Sequence, residues 1–300
     1  MAMYHLHARF VQRSQGQSSV ASAAYRAGEK IRDDFNGKLY DFTHKTHVDH
    51  KEILLPEQPL DHLGDRSTLW NTVEQQLNHK KGQPAFEVEV ALPRELSPEQ
   101  RLKLVRGFAQ REFVDKGLIV DLCIHMDQAS DGGEHPHAHM LITTRRWNDD
   151  GSMGKAARDL QDSPTVLQRV NALEKAGKLD EALLAAKGTN LAGWRERWAQ
   201  DSNAFLERYE HEDRVDHRTL AAQQIEREAK PYIGFAFYRR ELDHLKGWLA
   251  ERVEAFKAIN WRNEMRDQFE RVTQARRDLQ AEFIAHTREY APELLRGAGL

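Results

Sequence analysis

Cysteine is almost absent from this chain of 300 residues, and long apolar runs are missing. Cys123 is the single cysteine, so no disulfide can form within the chain, which fits a reducing compartment. No stretch approaches the roughly 18 apolar residues of a membrane-spanning helix, and the N-terminus has no apolar signal core. We therefore expect a soluble, cytoplasmic protein without membrane insertion.

The chain also lacks an excess of basic residues. Its net charge of -3 excludes the global positive field that is typical of many nucleic-acid-binding proteins. A local field is not excluded, because residues 1–47 contain seven Lys or Arg against four Asp or Glu, a net charge of +3. With 40% hydrophobic and 30% charged residues, the composition predicts one compact domain plus solvated helices.

Histidines cluster around the segment His137-Ala138-His139. The apolar residues that follow predict a strand, on which residues two apart point to the same face. A second predicted strand, residues 118–126, carries His125, and the polar turn 127–134 joins the two strands as a hairpin. Three imidazoles brought together on rigid strands predict a metal site. The alternative is a group of surface histidines, in a chain that contains 15 of them.

Two carboxylates are expected to share one face of another predicted strand, residues 86–93. Alternation places Phe86, Val88 and Val90 on one face and Glu87 with Glu89 on the other. Two neighbouring carboxylates repel each other unless cations or a metal lie nearby. The alternative is an amphipathic strand with a solvated face. Asp121, four residues before His125 on the same strand face, is predicted to accept a hydrogen bond from an imidazole and orient it.

Tyr25 lies on a predicted helix that is capped by Ser18 or Ser19. Ala21, Ala24, Tyr25 and Gly28 recur at helical spacing and form one face of small residues, which can approach a sheet closely. From this pattern alone, the more common interpretation of Tyr25 is a side chain packed in the core, and the less common one is a nucleophile. Residues 31–65 are polar and predicted to be irregular. From about Phe235 to Tyr290, apolar residues recur every three or four positions, which predicts long amphipathic helices. A coiled coil is one arrangement that this spacing allows.

Several motifs together resemble the MobA/MobL (MOBQ) family of conjugative relaxases, in the HUH endonuclease superfamily. The resemblance covers roughly residues 1–235 and rests on the segments Met1-Ala2-Met3-Tyr4-His5, Gly16-Gln17-Ser18, Ala23-Ala24-Tyr25, Ile53-Leu54-Leu55-Pro56, Ala91-Leu92-Pro93 and Pro136-His137-Ala138-His139. It implies an α+β fold, with a central antiparallel sheet flanked by helices and a helical C-terminal extension. The implied domains are a relaxase domain, 1–234, and a helical extension, 235–300.

The resemblance also implies roles for residues. Tyr25 corresponds to the nucleophile, His125, His137 and His139 to the metal ligands, and Glu87, with Glu89 beside it, to the active-site carboxylate. The implied ion is divalent, with Mn²⁺ or Mg²⁺ in use and Zn²⁺, Co²⁺ or Ni²⁺ able to occupy the site.

Such enzymes cut one DNA strand at a transfer origin and leave a 5′-phosphotyrosine, which a 3′-hydroxyl can later rejoin. The expected partners are single-stranded and hairpin DNA of that origin, relaxosome accessory proteins and a secretion coupling protein. Bound DNA needs a basic groove and aromatic platforms. The candidates, which could equally form a solvated surface, are Arg9, Arg13, Arg26, Lys30, Tyr40, Lys45, Trp147 and Lys155.

Two other functions remain open. Rolling-circle initiators and single-strand transposases of the HUH class place the tyrosine helix after the histidine pair, whereas Tyr25 precedes His137 here. A metal-stabilised DNA-binding scaffold without catalysis is the alternative outside the enzymes. Formation of a covalent DNA adduct distinguishes the enzymes from the scaffold.

Overall fold

The computed structural model describes residues 4–57, 60–77, 79–128, 132–220, 222–228 and 248–290. In chain order the elements are β1 (Leu6–Val11), α1 (Ser19–Ala27), β2 (Lys30–Arg32), β3 (Leu39–Asp41), β4 (Val48–Leu54), α2 (Arg66–Gln76), β5 (Ala85–Ala91), α3 (Pro98–Glu112), β6 (Val120–Gln128), β7 (Glu134–Thr143), β8 (Arg145–Trp147), β9 (Met153–Ala156), α4 (Pro164–Lys175), α5 (Leu179–Ala186), α6 (Asn190–Arg208) and α7 (Trp248–Tyr290).

Five strands form one antiparallel sheet in the order β1-β5-β7-β6-β4. β7 occupies the centre and pairs with β5 on one side and β6 on the other. β6 and β7 are the predicted histidine hairpin, and β2–β3 and β8–β9 form two small separate sheets. The predicted α+β class, a central antiparallel sheet with flanking helices and a long C-terminal helix, is confirmed.

One face of the sheet packs on α3 and α6. Phe86, Val88 and Val90 of β5 point into this core, as their alternation predicted. Their partners include the aromatic side chains Phe108, Phe113, Trp194 and Trp198. Because successive side chains of a strand point to opposite faces, the residues between those of β5 must point to the other side of the sheet.

The other face is covered by α1 and α2. Val20, Ala23 and Ala24 of α1 pack in a second core with Trp70 of α2 and Leu141 of β7. The strands also send polar side chains to this face, where Glu87, Asp121 and the three histidines are all buried. α1 and α2 therefore cover a cluster of polar residues, which would be exposed to solvent if helices covered only the opposite face of the sheet.

Caps at both ends fix the position of α1. The Ser18 hydroxyl accepts a hydrogen bond from the Ala21 amide at 3.2 Å. Gly28 ends the helix with a positive φ of 61°, a conformation that glycine adopts without strain. A side chain at Gly28 would also meet Val48 Cγ2 at 3.3 Å, so the turn after α1 lies close to the start of β4.

The polar segment 31–65 contains three strands, so the prediction of an irregular region is wrong. β4 is an edge strand that pairs with β6, from Val48 opposite His125 to Leu54 opposite Val120. Its sequence, Val-Asp-His-Lys-Glu-Ile-Leu, has few apolar residues because an edge strand keeps many side chains in water. β4 is therefore a strand because it pairs with β6, and its own sequence pattern does not predict this.

The chain divides into two compact units. The first comprises Met1–Leu173 with Leu179–His217, and the second Glu174–Lys178 with Arg218–Leu300. The boundary predicted at residue 234 remains a prediction, and the apolar residues Leu242 and Leu245 of the predicted helical stripe lie outside the described residues. Among the described residues, no helix combines the length and apolar character needed to cross a membrane.

Candidate active site

Three histidines meet on the face of the sheet that α1 covers. His125 of β6 lies opposite His137 of β7, and His139 follows two residues later on the same face. The ring centroids are 5.4 Å apart for His125 and His137, 4.7 Å for His125 and His139, and 5.0 Å for His137 and His139. One nitrogen of each ring lies within 4.8 Å of the others, and all three side chains are buried. The hairpin thus brings the predicted ligands together.

Each of these rings donates one hydrogen bond that fixes its tautomer. His139 Nδ1 donates to Glu87 Oε1 at 3.0 Å, and His137 Nδ1 donates to the His135 carbonyl at 3.1 Å. His125 Nε2 donates to the Arg26 carbonyl at 2.6 Å. Because a carbonyl oxygen can only accept, the second nitrogen of each ring keeps its lone pair.

The charge state of the rings also suits metal coordination. Burial, together with neighbouring His139, lowers the pKa of His125 to about 3. Burial likewise lowers the pKa of His139, although the Glu87 carboxylate opposes that shift. Both rings are therefore neutral at neutral pH, the form that binds a metal. Three buried imidazoles with free lone pairs and oriented rings fit a divalent cation.

Glu87 is the charged centre beneath the histidines. Its carboxylate receives hydrogen bonds from Arg26 Nε, from Arg9 Nε at 2.6 Å and from His139 Nδ1. Burial would raise the pKa of this carboxyl, but the Arg26 guanidinium and His139 hold it well below the ordinary value. Glu87 is therefore an ionised anchor. Arg9 and Arg26 are the cations that were expected beside the two carboxylates. Because Glu87 is buried, the alternative interpretation of a solvated strand face is wrong at this residue.

Glu89 has a looser environment than Glu87. Its side chain is 33% exposed, and its Oε2 lies 3.6 Å from His139 Nδ1. Burial raises the pKa of the Glu89 carboxyl, yet His139 and other nearby groups give a net lowering. Both carboxylates thus face His139, but only Glu87 is enclosed and bound to arginine.

Tyr25 stands at the rim of this site on the last turn of α1. Its ring is 43% exposed, whereas Val20, Ala23, Ala24 and Ala27 form the buried face of the helix. The predicted face containing Tyr25 is therefore rotated away from the sheet, because the four buried positions recur at helical spacing and pack without a bulky ring. The carbonyl of the next residue, Arg26, binds His125, so the turn that carries Tyr25 is tied to the histidines.

Asp121 does not have its predicted role. Its carboxylate accepts hydrogen bonds from Arg66 Nε and Nη2 at 2.8–3.0 Å and from Trp70 Nε1 at 2.9 Å. Both partners lie on α2, which covers this part of the sheet. Asp121 thus joins the helix to the sheet, and Glu87 orients His139 instead. Strand alternation gave the correct face for Asp121 but could not reveal that a helix supplies its partners.

Three of the candidate DNA contacts are engaged within the protein. Arg13 donates to the Leu77 carbonyl at 2.6 Å and binds the Glu74 carboxylate. Trp147 is 4% exposed and packs in the core beneath α1 and α2, so it is no stacking platform. Arg26 is buried against Glu87. Sequence alone does not separate these side chains from surface cations, because each acquires its partner only through the fold.

The other candidates remain accessible to a ligand. Arg9 is half exposed although it binds Glu87, and Lys155 is exposed. Lys30 is exposed and pairs with Asp41 at 3.2 Å. Tyr40 is partly buried, and Lys45 lies against Tyr25.

Two residues near the site were not predicted. The His47 ring lies 5.1 Å from the His125 ring, and the Phe42 ring lies 5.2 Å from the Tyr25 ring. Both belong to the connection between β3 and β4, whose polar sequence showed no signal. The pairing of β4 with β6 brings this connection to the histidines.

Comparison with known proteins identifies the family of the chain. Residues 17–242 match the sequence profile of the MobA/MobL family. The chain belongs to this family. The family predicted from the sequence motifs is thus confirmed, and most of the match falls on the unit that contains the site.

Curated relatives with sequence similarity include mobilization proteins. Mobilization protein MobL of Acidithiobacillus ferridurans is 35% identical over 259 residues, covering 78% of this chain and 62% of that protein. Mobilization protein A of Escherichia coli is 35% identical over 238 residues, covering 78% of this chain and 30% of that protein. The chain thus spans less than two thirds of the length of these relatives.

Solved structures with similarity to the chain include two that concern conjugation or the transfer of resistance. A structure described as the molecular basis of vancomycin resistance transfer in Staphylococcus aureus has a TM-score of 0.57 and 29% identity, and the match covers 73% of this chain and all of that one. The conjugative relaxase TrwC in complex with oriT DNA, in a metal-bound structure, has a TM-score of 0.40 and 12% identity, covering 85% of this chain and 90% of that one. The first of these likenesses bears out the fold expected from the family resemblance.

Proposed function

We propose that this protein is a conjugative relaxase that nicks and rejoins one strand of DNA at a transfer origin by tyrosine transesterification. The observation that carries the proposal is the link between Tyr25 and the histidines. The Arg26 carbonyl, one residue after Tyr25, accepts a hydrogen bond from His125 at 2.6 Å, and the Arg26 side chain binds the same Glu87 that orients His139. A nucleophile candidate and a metal-ligand cluster thus share one rigid support.

Each group has a role in the proposed reaction. The Tyr25 oxygen attacks the scissile phosphorus and forms a phosphodiester bond with it, while the bond from phosphorus to the 3′ oxygen breaks. The phenol loses its proton, and the departing 3′ oxygen ends as a hydroxyl. Because a phosphoester replaces a phosphoester, the step needs no ATP, and the 3′-hydroxyl can reverse it by attacking the phosphotyrosine.

His125, His137 and His139 would hold the divalent ion, with Mn²⁺ or Mg²⁺ as the ion in use and Zn²⁺, Co²⁺ or Ni²⁺ as possible occupants. A bound ion supplies neutralisation of the nonbridging phosphate oxygens and orients the phosphorus for in-line displacement. Glu87 keeps the His139 ring in one tautomer and places negative charge behind it. Arg9, Lys30 and Lys155, which are exposed, contribute positive charge for the DNA backbone.

The test incubates the protein and Mn²⁺ with single-stranded oligonucleotides that tile the DNA on both sides of the gene for this chain. We expect a covalent protein–DNA adduct whose peptide map places the 5′ phosphate on Tyr25. The adduct should be lost in Tyr25→Phe and kept in the matched control Tyr209→Phe, which changes a tyrosine at the end of α6.

The histidine variants test the metal part of the proposal. His137→Ala should abolish cleavage while leaving much of the single-strand binding, since binding rests on many phosphate and base contacts. Full cleavage by His137→Ala in the presence of a chelator would exclude the proposed metal site. Binding of origin DNA without an adduct under any divalent ion would instead support a DNA-binding scaffold.

A further inference from the structure

The ring of Tyr25 is held on two sides although it is partly exposed. Phe42 meets it edge-on, with ring centroids 5.2 Å apart and an interplanar angle of 88°. Lys45 Nζ lies 3.3 Å from the ring centroid, over the face of the ring. Both residues belong to the connection between β3 and β4. A side chain on a helix rim would otherwise be free to change rotamer, so these contacts restrict it.

This connection is itself fixed to the end of α1. The Phe42 amide donates to the Glu29 carbonyl at 3.1 Å, and the Lys45 amide donates to the Phe42 carbonyl at 3.1 Å. A Cβ placed on Gly28 would meet Lys45 Cβ at 3.6 Å, so the backbones of the two segments lie close together. Phe42 and Lys45 therefore lie on a segment that is bound to the end of α1, and the Arg26 guanidinium of α1 itself lies 5.0 Å from the centroid of the Tyr25 ring.

Lys45 makes two contacts with one residue. Its ammonium covers the Tyr25 ring and also donates to the Tyr25 carbonyl at 3.0 Å. Among the described residues, no carboxylate lies within ion-pair distance of Lys45, so the ring and the carbonyl are its principal partners. Burial and the nearby Arg26 lower the pKa of Lys45 to about 8, although the Asp127 carboxylate opposes this shift. An ammonium over the face of an aromatic ring is attracted by the ring quadrupole even at a partly exposed site.

We infer that Lys45 is a positioning residue for the Tyr25 nucleophile: its ammonium on the ring face and the Phe42 ring at the edge hold the phenol in one orientation at the rim of the histidine site. The inference rests on the proposed function. It differs from the earlier expectation that Lys45 binds DNA. A contact with phosphate would change the affinity for DNA, whereas a contact that positions the Tyr25 ring would change the nicking rate of the protein–DNA complex.

Lys45→Met separates these roles because it removes the charge and keeps an unbranched stem. We expect the single-turnover nicking rate at saturating oligonucleotide to fall about tenfold, the rate equivalent of one cation–π contact, with DNA affinity little changed. Lys45→Arg keeps a cation that can stack on the ring and should retain most of the rate. A loss of affinity with an unchanged rate at saturation would overturn the inference in favour of a DNA contact.

Lys51→Met is the matched control. Lys51 Nζ donates to the Ala27 carbonyl at 3.2 Å, so it contacts the last turn of α1 as Lys45 does, and its ion-pair partner is Glu29. The structure gives it no contact with the Tyr25 ring. If Lys51→Met slows nicking as much as Lys45→Met, the effect comes from the helix end, and the inference is wrong.

A double-mutant cycle with Phe42→Leu tests whether the two contacts act together. If Lys45 and Phe42 hold the same ring, the rate loss of the double variant should be smaller than the product of the single losses. Independent losses that multiply would contradict a shared role.

A spectroscopic measurement keeps the inference separate from the proposed function. In full-length protein with ¹³C-labelled tyrosine, the ring resonance assigned through Tyr25→Phe should shift in Lys45→Met and stay in place in Lys51→Met. Absence of an adduct with wild-type protein would reject the proposed function, whereas an unshifted ring resonance would reject the contact with Lys45.

Discussion

Glu87 shows how one buried side chain organises the candidate site. It accepts hydrogen bonds from two arginines and a histidine, so it offsets part of the positive charge of Arg9 and Arg26 and fixes the tautomer of His139 at the same time. Glu89, two residues away on the same strand face, is a third exposed and has no arginine partner among the described contacts. The two carboxylates are chemically identical and therefore differ only in their environment, that is, in burial and in ionic partners.

Glu87→Gln should weaken divalent-ion binding by about 10- to 100-fold, because His139 loses the carboxylate that raises its basicity and holds its orientation. Isothermal titration of the apo protein with Mn²⁺ measures this loss. Glu89→Gln is the matched control and should cause a smaller loss, since its carboxylate lies 3.6 Å from His139 Nδ1. An equal or larger loss in Glu89→Gln would make Glu89 the functional carboxylate.

Several assignments of residues could be made from local sequence. His125, His137 and His139 follow from strand alternation and a hairpin, and the face of Glu87 follows from the apolar residues on either side of it. Arg13 and Asp121 could not be assigned in this way. Their partners, Glu74 and Arg66, lie on α2, which is distant in sequence from both.

The packing of helix α1 on the sheet determines where Tyr25 lies. Its buried face consists of Val20 and three alanines, each no more than 2% exposed, so the backbone approaches the strands closely. This face could be predicted as small and helical. Its rotation could not, since residues 21, 24, 25 and 28 have the same helical spacing as the buried residues 20, 23, 24 and 27, and only packing against β6 and β7 selects one set.

Ala23→Leu should overpack this contact, lower the free energy of unfolding by about 1–3 kcal/mol and slow nicking, because α1 must move away from the histidines. Urea denaturation and single-turnover nicking measure the two effects. Ala21→Leu adds the same side chain on the half-exposed side of the helix and should change both much less. Equal effects of the two substitutions would mean that α1 is not seated by its alanine face.

The contact between α3 and α6 predicts a pH dependence of stability. Burial raises the pKa of the Glu112 carboxyl, but hydrogen bonds from Arg197 Nε at 2.8 Å and Nη2 at 2.9 Å, with help from Arg111, give a net lowering. A carboxyl whose folded-state pKa is lowered stabilises the fold above its ordinary pKa of 4.5 and loses that contribution as the pH falls through the folded-state value.

Glu112→Gln should therefore lower the free energy of unfolding at pH 7 by about 1–3 kcal/mol. The difference from wild type should stay constant down to about pH 5 and narrow below pH 4.5, where the carboxyl of the unfolded chain becomes protonated before that of the folded chain. Urea denaturation across this range measures it. Glu196→Gln, an exposed substitution on α6, should show neither effect. A difference that widens on acidification would contradict the assigned ion pairs.

The candidate active site and the long C-terminal helix belong to different units of the chain. The site residues and both hydrophobic cores around the sheet lie before residue 218, and α7 lies after it. α7 leaves Trp261, Phe269, Leu279 and Phe283 largely exposed. Its length and apolar spacing suit contact with another surface more than chemistry at the phosphate.

A chain that ends at Gly234, the predicted domain boundary, should fold and nick the oligonucleotide at the wild-type single-turnover rate to within about twofold, as expected if the two segments act independently. Circular dichroism checks the fold and the adduct assay checks the rate. A truncated chain that is folded but inactive would place α7 in the catalytic reaction.

The local sequence specified those features that depend on neighbours along the chain. Strand alternation, the histidine hairpin, the cap of α1 and the family motifs are short-range patterns, since a strand or helix repeats over a few residues. Features that depend on contacts between distant segments required the fold.

Tertiary packing decided the partners of Asp121 and Arg13, the burial of Trp147, the rotation of α1 and the order of β4 beside β6. Each of these depends on which segment lies opposite, and a polar side chain has the same local pattern whether it meets water, DNA or a buried carboxylate. The place of Lys45 over the Tyr25 ring is the same kind of fact. A lysine in a polar loop becomes a contact of the candidate nucleophile only because β4 pairs with β6 and brings that loop to the end of α1.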